Sequence, residues 1–384
     1  MLRTSLIFFL CFTALSCSDS AFNSAAPAPI TDLDAELHRK NFIPWFKKVY
    51  PSHSELRWRI LGWQLNVKSG FDLTKQSKKP LLLWLEDGHP MGSTSQHGRD
   101  LRATLGEDSL IPLLNKYSLA AADFNRAPEF ISADTGQLAV YLPDGHLLDS
   151  HKEVDKESIA AFLERAHAKF IALPSEQLAD KLSDESFASA IRTENGFPDD
   201  GLSLETFQRP ANTFLLDDFQ TTQWQKDFVW FNQDEMSSFI RPIKINSKNP
   251  IKNELLHRIS GGMFSEHFEF EDMVKGDLVF QCRLIKKNYS TYLISGTANY
   301  QRGTSSLKVK MFGKASYDTD REQFGLLEIT ALSEFDDGSS DAQRFATALR
   351  KVTSVDNWHR VPPKNLADYA ADYYRLSGSG NPNK

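Results

Sequence analysis

The spacing of apolar residues predicts alternating helices and short strands in the first half of the chain. Residues 35–50 place Leu37, Phe42, Trp45 and Val49 at helical intervals, whereas residues 81–85 are apolar on both faces, as in a strand inside a covered sheet. In chain order the predicted elements are a helix at 35–50, strands at 55–67 and 81–85, helices at 99–105 and 108–117, strands at 119–123, 138–142 and 147–148, and helices at 155–170 and 175–192. This order predicts an α/β sandwich.

The pattern changes after residue 210. Residues 307–317 alternate apolar side chains with lysine and serine, which is typical of an antiparallel strand with one buried face. Similar strands are predicted at 278–286, 289–300 and 324–335, and short helices at 233–240, 251–258 and 345–352. Glycines at 296, 313 and 325 lie inside the long strands and indicate strong curvature. We therefore predict an α+β domain with a curved antiparallel β-meander.

Composition divides the chain further. The region 193–210 combines Asn-Gly, prolines and aspartates, and predicts a linker between the two domains. The predicted segments are a signal peptide at 1–17, a Ser/Ala/Pro-rich flexible spacer at 18–34, an α/β domain with flanking helices at 35–192, the linker at 193–210, the α+β domain at 211–353, and a C-terminal extension with a disordered tail at 354–384.

The leader has the pattern of an export signal. Arg3 precedes an apolar run at 6–15, which is shorter than the ~20 residues that a spanning helix needs. The run TALSC, ending at Cys17, resembles the lipobox of bacterial lipoproteins, in which the cysteine is lipidated; ordinary cleavage just before Cys17 is the alternative. We expect an exported protein, either a periplasm-facing membrane lipoprotein of the cell envelope or a secreted one, with the membrane as partner through the N-terminal lipid.

Charge and cysteine content narrow the classes of function. The net charge is −6, and Lys and Arg are dispersed along the chain, so we expect no nucleic acid as partner. Besides Cys11 and Cys17 in the leader, Cys282 is the only cysteine, so the mature domains cannot form an internal disulfide. Its apolar neighbours in a predicted strand indicate a buried, unreactive thiol.

The α/β domain resembles the thioredoxin-like superfamily over residues 78–170. The resemblance is carried by KKPLLLWLEDG, the helix DSLIPLLNKY, the strand AAADF and the hairpin LAVYLPDGHLL. It implies a thioredoxin-like sandwich with its reactive loop at residues 87–98. That loop contains no cysteine, and the stretch 134–137, where the family has a cis-proline, contains no proline. Thiol–disulfide exchange by the chain's own cysteines is therefore excluded for this domain.

The same loop holds other chemical groups. The candidate site residues are Glu86, Asp87, His89, Ser93 and His97, whose side chains are those of a divalent-metal or hydrolytic site. Their spacing matches no known motif, and polar turns produce such groups often, so we favour solvated turn and helix-cap residues. The sequence predicts no catalytic residue, metal or cofactor.

Three functions stay open. The favoured one is a non-catalytic envelope protein whose thioredoxin-like domain serves binding or scaffolding for an unidentified protein or small molecule. The alternatives are a carrier of an apolar ligand in the curved β-domain and a metal or acid–base enzyme that uses residues 86–97.

Overall fold

The computed structural model describes residues 36–52, 55–64, 66–86, 90, 95–124, 127–174, 178, 181–187, 201–211, 225–260, 268, 270–338 and 342–352. The predicted leader with Cys17, the spacer at 18–34 and the extension at 354–384 lie outside these residues. No helix within them is long and apolar enough to span a bilayer.

Two sheets and several short helices make up the described chain. The helices are α1 (Phe42–Val49), α2 (Val67–Ser77), α3 (Gln96–Leu105), α4 (Ile111–Leu114), α5 (Lys156–Ile171), α6 (Gln233–Ser238) and α7 (Asn253–Ser260), with 3-10 turns at Arg57–Leu61, Asp184–Phe187 and Phe270–Asp272. The strands are β1 (Leu81–Glu86), β2 (Ser118–Asp123), β3 (Gln137–Tyr141), β4 (Leu147–His151), β5 (Leu202–Pro210), β6 (Gln225–Phe231), β7 (Lys248–Pro250), β8 (Met273–Lys286), β9 (Tyr289–Arg302), β10 (Ser305–Asp318), β11 (Gln323–Asp336) and β12 (Gln343–Lys351).

The first sheet is mixed, with strand order β2-β1-β3-β4. β1 runs parallel to β2 and antiparallel to β3, and β4 is antiparallel to β3. β1 is buried along its whole length because apolar side chains cover both faces of the sheet. On one face Trp84 and Phe162 belong to one apolar core, and on the other Leu83 and Phe71 belong to a second. The predicted layered α/β architecture is therefore present.

The second sheet is antiparallel throughout, with the order β6-β5-β12-β11-β10-β9-β8-β7. Its long central strands curl around α6 and α7, and Met236, Leu256 and Ile259 of these helices share one core with the strands. The curvature predicted from the glycines inside the long strands is therefore present. Gly313 allows close strand packing, because a Cβ there would lie 2.4 Å from the carbonyl oxygen of Glu328.

The other face of this sheet is covered by α1. Leu37, Phe42 and Trp45 form a core with Ala346 and Ala348 of β12. The Thr330 hydroxyl of β11 donates to the Phe42 carbonyl at 2.9 Å. Although α1 falls inside the region 35–192 that the sequence assigns to the first domain, its apolar face is therefore buried against the second sheet.

Four predicted elements differ from the structure. In the helix predicted at 175–192, residues 181–183 are not helical and Asp184–Phe187 form a 3-10 turn, and most of the other residues lie outside the described part of the chain. Residues 202–210 of the predicted linker form β5, a buried strand with Gly201 and Pro210 at its two ends, and residues 193–200 lie outside the described residues. The helix predicted at 345–352 is wrong: the region forms β12, whose Ala346 and Ala348 face α1 while Leu349 faces the opposite core. The strand predicted at 55–67 is also wrong, since it contains a 3-10 turn and only an isolated bridge at Gln64.

Candidate functional site

A buried carboxylate ends the central strand of the first sheet. Glu86 is the last residue of β1 and is 3 % exposed. The indole Nε1 of Trp84 donates to its Oε1 at 3.1 Å, and the Ser95 hydroxyl donates to its Oε2 at 3.3 Å. A buried carboxylate needs such partners, because an unpaired charge in an apolar setting is costly.

The start of α3 brings a histidine to this carboxylate. Ser95 is the N-cap of α3 and accepts a hydrogen bond from the Gly98 amide at 2.9 Å. This cap fixes the first turn of the helix, where the Nδ1 atom of His97 lies 3.1 Å from Oε1 of Glu86. On the other side of the ring, Nε2 lies 2.8 Å from the carbonyl oxygen of Lys152, which follows β4. We call Glu86, His97 and the Lys152 carbonyl the carboxylate–imidazole clamp.

The protonated imidazole suits this clamp best. Both ring nitrogens face acceptors, so only the doubly protonated ring can donate on both sides. The hydrogen bond to Glu86 raises the pKa of His97 above its usual value, burial opposes that shift, and the Lys152 carbonyl supports it. The side chain of His97 is 34 % exposed, so the clamp is only half shielded from solvent.

Two further residues, Gly136 and Arg102, lie close to the clamp in the fold. Gly136, just before β3, has φ of +70°, donates its amide to the Leu85 carbonyl at 2.9 Å, and lies against the His97 ring. Its left-handed backbone favours glycine, and an added Cβ would only touch the ring, at 3.7 Å. Arg102 of α3 is 2 % exposed, and its Nη1 lies 3.5 Å from the Pro90 carbonyl. Pro90, which lies between β1 and α3, is therefore held by a side chain of the helix.

The structure joins part of the predicted set. Glu86 and His97 are in contact, whereas Asp87, His89 and Ser93 lie outside the described residues. Sequence reasoning did not anticipate the Lys152 carbonyl or the Trp84 indole. The available signal was the acidic residue directly after a fully apolar run, because a carboxylate at the end of a buried strand needs buried partners. Among the described residues, no three His, Cys, Asp or Glu side chains are placed to hold a metal ion.

The geometry of the clamp restricts its chemistry. A general base or a metal ligand needs a free lone pair on an imidazole nitrogen, and both nitrogens of His97 are engaged. The clamp joins the end of β1, the start of α3 and the segment after β4, so its evident effect is to hold these three elements together.

The remaining cysteine lies far from this chemistry in the fold. Cys282 is fully buried in the core of the second sheet, and burial raises the pKa of its thiol. A raised pKa keeps the sulfur protonated, and only the thiolate is nucleophilic. The prediction that Cys282 is buried is confirmed.

Comparison with protein-family models, with curated proteins and with solved structures finds no match to this chain.

Proposed function

We propose that this chain is an exported, lipid-anchored envelope protein whose N-terminal α/β unit is a thioredoxin-like scaffold without redox chemistry, used for binding or scaffolding. The observation that carries the proposal is the carboxylate–imidazole clamp, which stands where a thiol-exchanging relative would have its reactive cysteine.

The topology of the first sheet supports the thioredoxin-like part of the proposal. A mixed sheet with order β2-β1-β3-β4, parallel between β1 and β2 and antiparallel elsewhere, is the arrangement that the resemblance implies. In that superfamily the thiolate lies at the N-terminus of the helix after the first core strand, here the start of α3. A helix N-terminus stabilises negative charge. Here the negative charge is supplied by Glu86 and is neutralised by His97.

The effect of the clamp on the surface supports a binding role. It fixes the edge of the sheet where β1 ends, and a fixed edge can present a recognition surface without an ordering cost on binding. The imidazole of His97 is the part of the clamp that reaches solvent, so a partner would meet a positively charged, immobilised ring.

The two alternatives have less support. An apolar ligand in the second unit would need space inside the curved sheet, yet Phe239, Leu256 and Ile259 pack there against the strands. Acid–base or metal chemistry at residues 86–97 would need His97 to release one of its two hydrogen bonds first.

Two measurements test the proposal. The purified protein should reduce insulin disulfides only at the rate of the dithiothreitol blank, and Cys282→Ser should leave that rate unchanged. Catalysed reduction that is lost in the Cys282→Ser variant would overturn the non-redox part. Replacing Cys17 by alanine should move the protein from the membrane to the soluble fraction after a high-salt wash, with Cys11→Ala as the matched control. Membrane retention of Cys17→Ala after that wash would overturn the lipid anchor.

A further inference from the structure

Two basic segments meet at one end of the second sheet. The turn before β7 is joined to β8 by hydrogen bonds from the Asn246 amide to the Cys282 carbonyl, 2.9 Å, and from the Cys282 amide to the Ser247 carbonyl, 3.0 Å. β7 then continues this pairing, with Lys248 opposite Gln281. We call residues 241–248 and 283–287 the basic–apolar patch.

The patch is strongly cationic in a chain that is net negative. Its charged residues are Arg241, Lys244, Lys248, Arg283, Lys286 and Lys287, all of them exposed, and it contains no Asp or Glu. The net charge of the whole protein is −6. Lysine and arginine that appear dispersed along the sequence are thus concentrated here by the pairing of the two segments.

The patch is also unusually apolar for an exposed surface. Among the described residues, six large hydrophobic side chains are exposed, and three of them belong to the patch: Ile243 at 36 %, Ile245 at 51 % and Ile285 at 37 %. The other three, Leu147, Ile171 and Val274, lie in other elements. Exposed apolar side chains that gather in this way indicate an interaction surface.

We propose that the basic–apolar patch docks on the surface of an anionic lipid bilayer. Lysines that surround exposed aliphatic side chains match a membrane interface, where the ammonium groups meet lipid phosphates and the aliphatic groups enter the acyl boundary. Protein interfaces are instead enriched in aromatic residues and arginine and depleted in lysine. Nucleic-acid surfaces that bind single strands stack bases on aromatic rings, and Tyr289, the aromatic residue beside the patch, already has Lys286 over its ring at 5.3 Å.

Acidic residues border the patch. The turn between β10 and β11 carries Asp318, Asp320 and Glu322, and the Thr319 amide donates to the Asn288 carbonyl at 3.1 Å. Arg241 lies 3.5 Å from Glu322. The turn also carries Arg321, so with the turn included there are seven cationic and three acidic side chains. This turn lies next to Lys287, because Asn288 directly follows that lysine, so it lowers the positive charge on that side of the patch without cancelling it.

Vesicle binding tests the proposal independently of lipidation. The full chain carrying Cys17→Ala is mixed with vesicles of phosphatidylcholine alone or with about a third phosphatidylglycerol, and bound protein is measured by flotation. We expect preferential binding to the anionic vesicles that falls steeply with salt. The leader is the same in every variant, so it does not affect the comparison.

Two pairs of variants locate the surface. Each lysine near an anionic membrane surface strengthens binding about fivefold. Lys286→Glu/Lys287→Glu should therefore weaken binding to anionic vesicles by at least about thirtyfold. The matched control pair Lys47→Glu/Lys48→Glu on α1 should leave this binding unchanged. Ile243→Ser/Ile245→Ser should weaken binding to anionic vesicles about tenfold without changing its salt dependence, because no charge is altered. Val274→Ser, at an exposed position outside the patch, should leave binding unchanged.

Three outcomes would overturn the proposal: equal binding to both vesicle types, an equal loss in the control pair, or stronger binding to duplex DNA than to anionic vesicles at matched salt. All substituted side chains are exposed, and matching circular dichroism spectra would verify that each variant is folded. Failure of the Cys17→Ala fractionation would leave this result unaffected, since the vesicle assay uses unlipidated protein.

Discussion

Replacing His97 by glutamine should destabilise the first sheet in a pH-dependent manner. In the wild type the imidazolium donates to the buried Glu86 carboxylate and to the Lys152 carbonyl. Glutamine can replace one of these hydrogen bonds but not the positive charge. Exposed ion pairs contribute about 0–1 kcal/mol and breaking buried ones costs about 3–5 kcal/mol. In the pair of Glu86 and His97 one partner is buried and the other is partly exposed. We therefore expect His97→Gln to lower the free energy of unfolding by about 2 kcal/mol at low pH.

The direction of the pH dependence follows from the raised pKa of His97. A histidine whose pKa is higher in the folded state stabilises the fold fully below its unfolded pKa of about 6.5, and this contribution is lost as the pH rises through the folded pKa. The difference in unfolding free energy between wild type and His97→Gln should therefore be largest below about pH 6.5 and should shrink as the pH rises above it.

The pH dependence of wild-type stability alone would not isolate the contribution of His97. Burial against Phe162 lowers the pKa of His151, which lies 3.0 Å from the Ser158 hydroxyl, and a lowered histidine pKa costs stability as the pH falls. Subtracting the two curves removes the contribution of His151, because both proteins contain it.

Urea unfolding followed by tryptophan fluorescence at several pH values measures this difference, since Trp84, Trp58 and Trp63 are buried in one core against the first sheet. His38→Gln is the matched control, because the His38 side chain is 59 % exposed and 3.9 Å from Glu36. An equal loss at both ends of the pH range would refute the assignment of His97 as the charged partner of Glu86.

Three further predictions concern the rest of the fold. Arg209→Leu should cost about 3–5 kcal/mol in urea unfolding because it leaves Glu55, 2.8 Å away, as an uncompensated buried charge, and Arg209→Leu/Glu55→Leu should recover much of it; no recovery would contradict the pairing. Trp45→Ala should cost about 3–5 kcal/mol in the same assay, and a loss below about 1 kcal/mol would mean that α1 is not docked on the second sheet. Cys282 should react with Ellman's reagent only after denaturation, and rapid reaction of the native protein would contradict its burial.

Local patterns determined much of the secondary structure. The alternation at 307–317 predicted that Leu307, Val309 and Met311 share a face, and all three are buried in one core. The helix predicted at 155–170 is confirmed as α5, and its N-cap Asp155 accepts a hydrogen bond from the Ser158 amide at 2.8 Å. These features depend on residues a few positions apart, and their physics is contained in the sequence pattern.

Long-range pairing decided the rest. His97 and the Lys152 carbonyl are 55 positions apart, and Thr330 and Phe42 are 288 apart. The spacing of Phe345, Leu349 and Val352 fitted a helix, but the pairing of β12 between β5 and β11 made that segment a strand. The sequence by itself determined which residues are apolar and how they alternate. Only the tertiary structure decided which carboxylate contacts which imidazole and which lysines share a surface. Those contacts are made by the pairing of strands that are distant in the chain, and not by neighbouring residues.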